Sequence, residues 1–276
     1  MTRPGWHEAA AGVYVWRQPR LDVNAVLVVG DEGALLVDTL STAAEAAELA
    51  AAARRVTRLP WQLANTHAHF DHWFGNATLA AANSAGTTIW AQERCRDLLA
   101  EGAGRAPAEA AAAYRDADPG FAAELAAVVP REPGAAVHEC AEVDLGGRVV
   151  ELRFLGRGHT DHDLVAVVTD AGIVCAGDLV EEGAPPSFDD AYPLEWPATL
   201  AALLELASGP VVPGHGAVVD AAFVRGQHAA LADLEWHCRE GHLDRAPVEE
   251  VAAHSPFGPA SVTAVRRAYA QLDGRL

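Results

Sequence analysis

Three imidazoles and a carboxylate crowd into six positions of this chain, His67-Ala68-His69-Phe70-Asp71-His72, and whatever fold forms must give them partners. Imidazole is the commonest protein ligand for zinc and related ions, and a carboxylate among histidines adds charge compensation and a hydrogen-bond acceptor. With 12 His and 18 Asp in 276 residues, composition alone would produce His-x-His-x-Asp-His with a probability on the order of one in a thousand.

Three later segments share a grammar with the first. His159 follows Gly156-Arg157-Gly158, Asp178 follows Cys175-Ala176-Gly177, and His215 follows Val212-Pro213-Gly214. Each is a metal-competent residue just after a short apolar run, in a turn containing glycine. Strand ends hold side chains rigidly and can converge at one rim of a sheet, and glycine lets backbone approach closely. One such turn is more often only a turn. Four in one chain form a joint signal.

Half the residues are apolar and 21% are charged, as in an ordinary globular protein. No apolar stretch reaches membrane-spanning length. The start, Met1 to His7, lacks the apolar core of a secretory signal, so a cytoplasmic location is expected. Cys95, Cys140, Cys175 and Cys238 are scattered singly, which argues against thiolate metal sites; Cys175 reads as a small buried hydrophobe. The net charge of −18 repels phosphate backbones and anionic lipid, so neither nucleic acid nor membrane is an expected partner.

Short β-branched or apolar runs at 12–16, 23–29 and 34–37 predict strands, followed by a helix from about Ser41, capped by its hydroxyl with Glu45 as partner. Brief strands are predicted at 63–65 and 87–91, two or three helices within an insertion at about 92–130, and strands at 137–138, 141–145, 149–155, 164–169 and 173–175. A loop over 181–195 leads to a helix starting near Pro197. A last strand lies at 211–212, and a helical tail runs from about 220 to 276. No segment resembles a linker, so one domain over 1–276 is expected. The order is that of a mixed α/β chain with helices covering sheets.

The run His67-x-His69-x-Asp71-His72, then His159, Asp178 and His215, resembles the metallo-β-lactamase superfamily, which includes glyoxalase II, zinc β-lactamases, lactonases, ribonuclease Z and sulfur dioxygenases. The motifs span roughly residues 23 to 216. The resemblance implies an α/β (α+β) fold, a four-layer αββα sandwich of two mixed β-sheets flanked by helices, with the site at one edge. It implies that His67, His69 and His159 hold one metal, that Asp71, His72 and His215 hold the other, and that Asp178 bridges both. The expected cofactors are two Zn²⁺ ions, with iron or manganese as alternatives. Aspartate at the bridge resembles glyoxalase II-like enzymes; dedicated zinc β-lactamases usually carry cysteine or serine there.

The expected activity is that of a dinuclear zinc hydrolase. A bridging hydroxide, oriented by Asp71 as catalytic residue, would cleave an ester, thioester, lactone or amide bond (β-lactams included) in a small molecule. Two rivals belong to the same superfamily: a mononuclear iron sulfur dioxygenase using His67, His159 and Asp178, and a phosphodiesterase. Asp161 or Asp163 is a candidate partner for a ligating imidazole. Phe188, Tyr192 and Trp196 are candidate pocket walls, with Trp73 and Phe74 beneath the cluster. The tail offers a face for a homodimer or only packs on the core.

Overall fold

The computed structural model describes residues 5–83 and 86–276. In chain order the elements are β1 (Trp6–Ala10), β2 (Val13–Gln18), β3 (Val23–Val29), β4 (Ala34–Val37), α1 (Ala43–Val56), β5 (Trp61–Ala64), α2 (Phe70–Trp73), α3 (Asn76–Ala81) and β6 (Ile89–Gln92). The insertion contains α4 (Glu93–Gly102), α5 (Ala106–Tyr114) and α6 (Pro119–Ala126). Then come β7 (Ala135–Val137), β8 (Cys140–Asp144), β9 (Val149–Phe154), β10 (Leu164–Val168), β11 (Ile173–Glu181), α7 (Trp196–Leu206) and β12 (Val211–His215). Helices α8 (Ala221–Leu243), α9 (Val248–His254) and α10 (Val262–Leu272) complete the chain.

The strands run β7-β6-β5-β4-β3-β12-β11-β10-β9-β8, with β2 and then β1 branching from β3. Parallel pairs (β4 with β5, β5 with β6, β6 with β7, β11 with β12) mix with antiparallel ones. The two halves join through a single registered pair, His215 with Val23.

Side-chain alternation along the strands builds the layers. In β3, Val26 and Val28 point into a core shared with Leu152, Leu164, Ala166 and Cys175 of the other half. Ala25 and Leu27 face the opposite way, onto Ala46, Leu49 and Ala53 of α1 and Leu79 of α3. In β10, Val165 and Val167 turn outward to Leu200 and Leu203 of α7, Leu231 of α8 and Val265 of α10. Helices therefore cover both outer faces of two packed half-sheets, and the fold is the αββα sandwich. Each fully buried Leu or Val contributes roughly 1.5–3 kcal/mol of transfer free energy. Cys175 sits in the inner core, where burial pushes its thiol up to about 12.

Three details differ from the sequence reading. Trp6–Ala10 adds a first strand against β2. Strand β11 continues to Glu181, and β12 ends on His215, so Asp178 and His215 belong to strands instead of following them. The cap of α1 is Thr42, whose Oγ1 accepts from the Glu45 N–H, while the Glu45 carboxylate accepts from the Ser41 N–H. The reciprocal capping pattern is present, shifted by one residue. No helix among the described residues is long and apolar enough to cross a membrane.

Thr42→Ala is expected to lower stability by about 1 kcal/mol, and Ser41→Ala by less. Urea unfolding midpoints of the two variants check this, and equal losses would return the cap to Ser41.

Candidate metal centre

Strand β5 delivers the chain to the rim at Asn65 and Thr66, and α2 begins three residues after His67. The tight turn is held by side chains. Asn65 Nδ2 donates to the His72 carbonyl at 2.9 Å, Asn76 Nδ2 donates to Asn65 Oδ1 at 2.8 Å, and the Thr39 N–H donates to the same His72 carbonyl at 3.0 Å. Beneath α2, Trp73 and Phe74 pack on Cys95, Leu99 and Phe121 of the insertion, which fixes the helix carrying Asp71 and His72. His159 lies between β9 and β10, where the Asp163 carboxylate accepts from both the N–H and the hydroxyl of Thr160.

Asp178 enters through a kink. Gly177 has φ +55, the register against β12 shifts there, and any Cβ at Gly214 would stand 1.7 Å from Asp178 Oδ1. A bare backbone at residue 214 is what makes room for that carboxylate.

The structure brings all seven candidates together in two groups. His67, His69, His159 and Asp178 form one, Asp71, His72 and His215 the other, with the donor atoms of each within 4.8 Å of one another. Asp178 reaches both. Its Oδ2 is 3.7 Å from His67 Nε2, 3.5 Å from His159 Nε2 and 3.4 Å from His215 Nε2, while Oδ1 is 3.3 Å from His72 Nε2. Asp71 Oδ2 lies 3.3 Å from His215 Nε2 and 3.7 Å from His72 Nε2.

Donors around a four-coordinate ion at about 2.1 Å stand roughly 3.4 Å apart, so this spacing suits shared cations better than direct hydrogen bonds. His67 Nε2, His72 Nε2 and Asp178 Oδ1 are buried without any hydrogen-bond partner. Orphaned polar atoms of this kind are costly, and a metal ion would satisfy all three. The residues present therefore fit a metal.

The metallo-β-lactamase superfamily family model matches residues 19–215, more than half of the sequence. The chain belongs to the metallo-β-lactamase superfamily. Its fold is similar to the metallo-β-lactamase from Pontibacter korlensis (TM-score 0.68, 19% identity, covering 84% of this chain and 100% of that one). It is also similar to the DIM-1 metallo-β-lactamase (0.64, 16%, covering 84% and 98%) and to the metallo-β-lactamase from Hirschia baltica (0.63, 17%, covering 83% and 98%). No curated protein matches the sequence significantly.

Outer hydrogen bonds aim the rings of this superfamily member, as they do around ligating histidines in metal sites generally. The outward Nδ1 atoms of His67, His72, His159 and His215 meet Thr66 Oγ1 (3.0 Å), Asp38 Oδ2 (2.8 Å), the Ser187 carbonyl (3.3 Å) and the Leu21 carbonyl (2.8 Å). His69 is reversed: its Nε2 meets Asp190 Oδ1 at 3.1 Å, and its Nδ1 lies 2.9 Å from His159 Nε2.

Neither Asp161 nor Asp163 supports a candidate ligand. Asp163 is spent on Thr160, and Asp161 binds His162 Nδ1 at 2.7 Å together with Arg94. Asp38 and Asp190 do so instead. Asp38 follows the apolar run of β4 but has no glycine beside it, so it carried only half of the pattern that marked the other sites. Its φ of +61, uncommon outside glycine, turns the carboxylate back to accept from the Thr66 N–H at 2.8 Å as well as facing His72. Phe188 and Trp196 are core residues, with the Trp196 ring 5.8 Å from His159; Tyr192 lines a neighbouring hollow.

Charge is finely opposed here. Burial works against ionised His72, yet Asp178, Asp71 and Asp38 raise it to about 9. Burial likewise opposes His215, and Asp178 and Asp71 raise it to about 12. His159 falls to about 4, through burial and the neighbouring His69, and His67 falls well below its ordinary value through burial and His72. Asp178 stays far below the usual carboxylate range: burial opposes its charge, but His72, His215 and His67 outweigh it. Without metal, protons on His72 and His215 supply the cations that the two carboxylates demand.

A folded-state pKa above 6.5 means that the His72 contribution is present below pH 6.5 and lost as pH rises through about 9. Chelated protein should therefore unfold at lower urea near pH 9 than near pH 6.5. Zinc added at neutral pH should expel about two protons, read by calorimetry in buffers of different ionisation enthalpy. Asp38→Ala should weaken zinc binding by about 10–100-fold in chelator competition.

Proposed function

We propose that the protein is a dinuclear zinc hydrolase acting on an ester, thioester, lactone or amide bond of a small molecule. The observation carrying this reading is the pair of donor groups joined by Asp178, in which His67 Nε2, His72 Nε2 and Asp178 Oδ1 are buried with no hydrogen-bond partner. In it, His67, His69 and His159 would hold one ion and Asp71, His72 and His215 the second, with Asp178 within reach of both groups. When bound, such ions supply a strongly acidified water and a Lewis acid for the substrate oxygen.

The protein's own contributions follow from placement. Asp71 borders a cleft of about 470 Å³ together with His69, His159, Asp178 and His215. Burial opposes its charge, but His72 and His215 hold it below its ordinary value, so at neutral pH it is an anionic acceptor that orients an attacking water. Phe70 and Tyr114 give the cleft an apolar flank.

The remaining wall is acidic. Glu182 and Asp189 carry its charge: Asp22 is paired with Arg17, burial and then Asp178 push the Glu181 carboxyl up to about 8, and no arginine is among the described lining residues. None of the 20 basic residues in the sequence is lysine. Away from the ions, whose own charge would govern the centre, these carboxylates favour a neutral or cationic substrate tail. The lactamase activity in the names of the structural neighbours is said of those proteins, and β-lactams enter here as one amide class among those to be tested.

Elemental analysis and kinetics on ester, thioester and lactone sets, each in cationic, neutral and anionic versions with nitrocefin alongside, test the reading. The expected result is zinc near two per chain and higher kcat/KM for cationic and neutral members. Asp71→Asn is expected to cost kcat about 10²-fold or more. A folded, zinc-loaded protein inert toward every set would remove the proposal; iron with persulfide-dependent oxygen uptake would replace it with the dioxygenase.

A further inference from the structure

The family match ends at His215, yet residues 216–276 reach back to the metal centre. Their helices pack on the outer face of the second half-sheet through Leu231, Leu234, Val251 and Val265. From α10, the Arg267 side chain crosses to the loop between β11 and α7. Arg267 donates from Nη2 to the Asp190 carbonyl at 2.7 Å, from Nη1 to the Asp189 carbonyl at 3.3 Å, and from Nε to the Ala191 carbonyl.

We propose that Arg267 is a positioning residue for the metal centre, holding the 187–191 loop so that Asp190 and Ser187 keep His69 and His159 aimed at a common ion; this rests on the metal-binding reading above. Three successive carbonyls facing one side chain repel each other, and the planar guanidinium meets each of them with a different nitrogen. Asp190 is held at both ends, with its carbonyl on Arg267 and its carboxylate on His69 Nε2 at 3.1 Å. Three residues earlier, the Ser187 carbonyl faces His159 Nδ1. His69 Nδ1 and His159 Nε2 are only 2.9 Å apart, so a small rotation of either ring changes what an ion there would meet.

Phe188 and Ala191 anchor the loop in the core, the Ser187 N–H donates to Glu181 Oε1 at 2.9 Å, the Ala191 N–H to the Phe188 carbonyl at 3.4 Å and the Tyr192 N–H to the Gly158 carbonyl at 2.8 Å, while the carbonyls of Asp189, Asp190 and Ala191 turn to Arg267. The rest of the clamp also comes from the tail: Gln271 bridges the Leu194 N–H and the Glu195 carboxylate, and Phe257 stacks edge-on against Phe188 at 5.6 Å. Lysine at 267 would keep the charge but could not serve three divergent acceptors.

The test uses the full chain and measures zinc affinity by chelator competition, with circular dichroism and urea unfolding of the metal-free protein alongside. Arg267→Ala and Asp190→Ala should each weaken zinc binding about 10–100-fold, and the double variant should be no weaker than the worse single. Arg267→Lys should lose most of the affinity while keeping the fold, and millimolar guanidinium should restore binding to Arg267→Ala. Unchanged affinity in Arg267→Lys, or losses that multiply in the double variant, would overturn the inference. Because the readout is metal affinity, failure of every hydrolysis assay would sink the hydrolase and leave this result standing. A wild-type chain that binds no zinc would remove both.

Discussion

His72 is completely buried, with a carboxylate at each ring nitrogen: Asp38 at 2.8 Å on Nδ1 and Asp178 at 3.3 Å on Nε2. Neutral imidazole can satisfy only one of them by donation. The arrangement needs a positive charge between His72 and Asp178, whether a proton or an ion. Much of the rim follows from that need. Asp38 bends the chain at the end of β4, Thr66 and Asn65 lock the turn beneath the ring, and Gly214 clears space for the opposing carboxylate. Stability and site are therefore not separable at this rim, because the same residues define the strand ends and the charge balance.

The seven candidate ligands were legible because metal chemistry restricts residue type, and the first four lie close enough in sequence to form a pattern. The strands themselves were legible as short β-branched or apolar runs, but β3 and β10 are apolar on both faces, so which layer each of their side chains joins was not. Boundaries were less so. Gly177 looks like a turn residue in one dimension, while in three it is a kink inside a longer strand. Ser41 and Thr42 are both competent caps, and the choice rests on the backbone direction entering α1.

The supporting partners were the hard part. Asp38 is a lone aspartate after an apolar run, a pattern that ordinarily means only a turn. Asp190 and Arg267 meet through a loop with no regular structure, joining positions far apart in the chain. Asp161 and Asp163 were plausible by proximity, yet proximity in sequence does not decide which way a carboxylate faces. Asp163 is consumed in shaping the turn of Thr160, and burial pushes its carboxyl up to about 6.

The single strand pairing between His215 and Val23 makes the two half-sheets meet where β12 supplies its candidate ligand. An ion held by His215, Asp71 and His72 would act as a rivet across that seam, tying together halves that the backbone ladder barely joins. Occupancy and interlayer cohesion then become one thermodynamic quantity: whatever parts the halves must first release the ion, and whatever fills the centre keeps the sandwich shut.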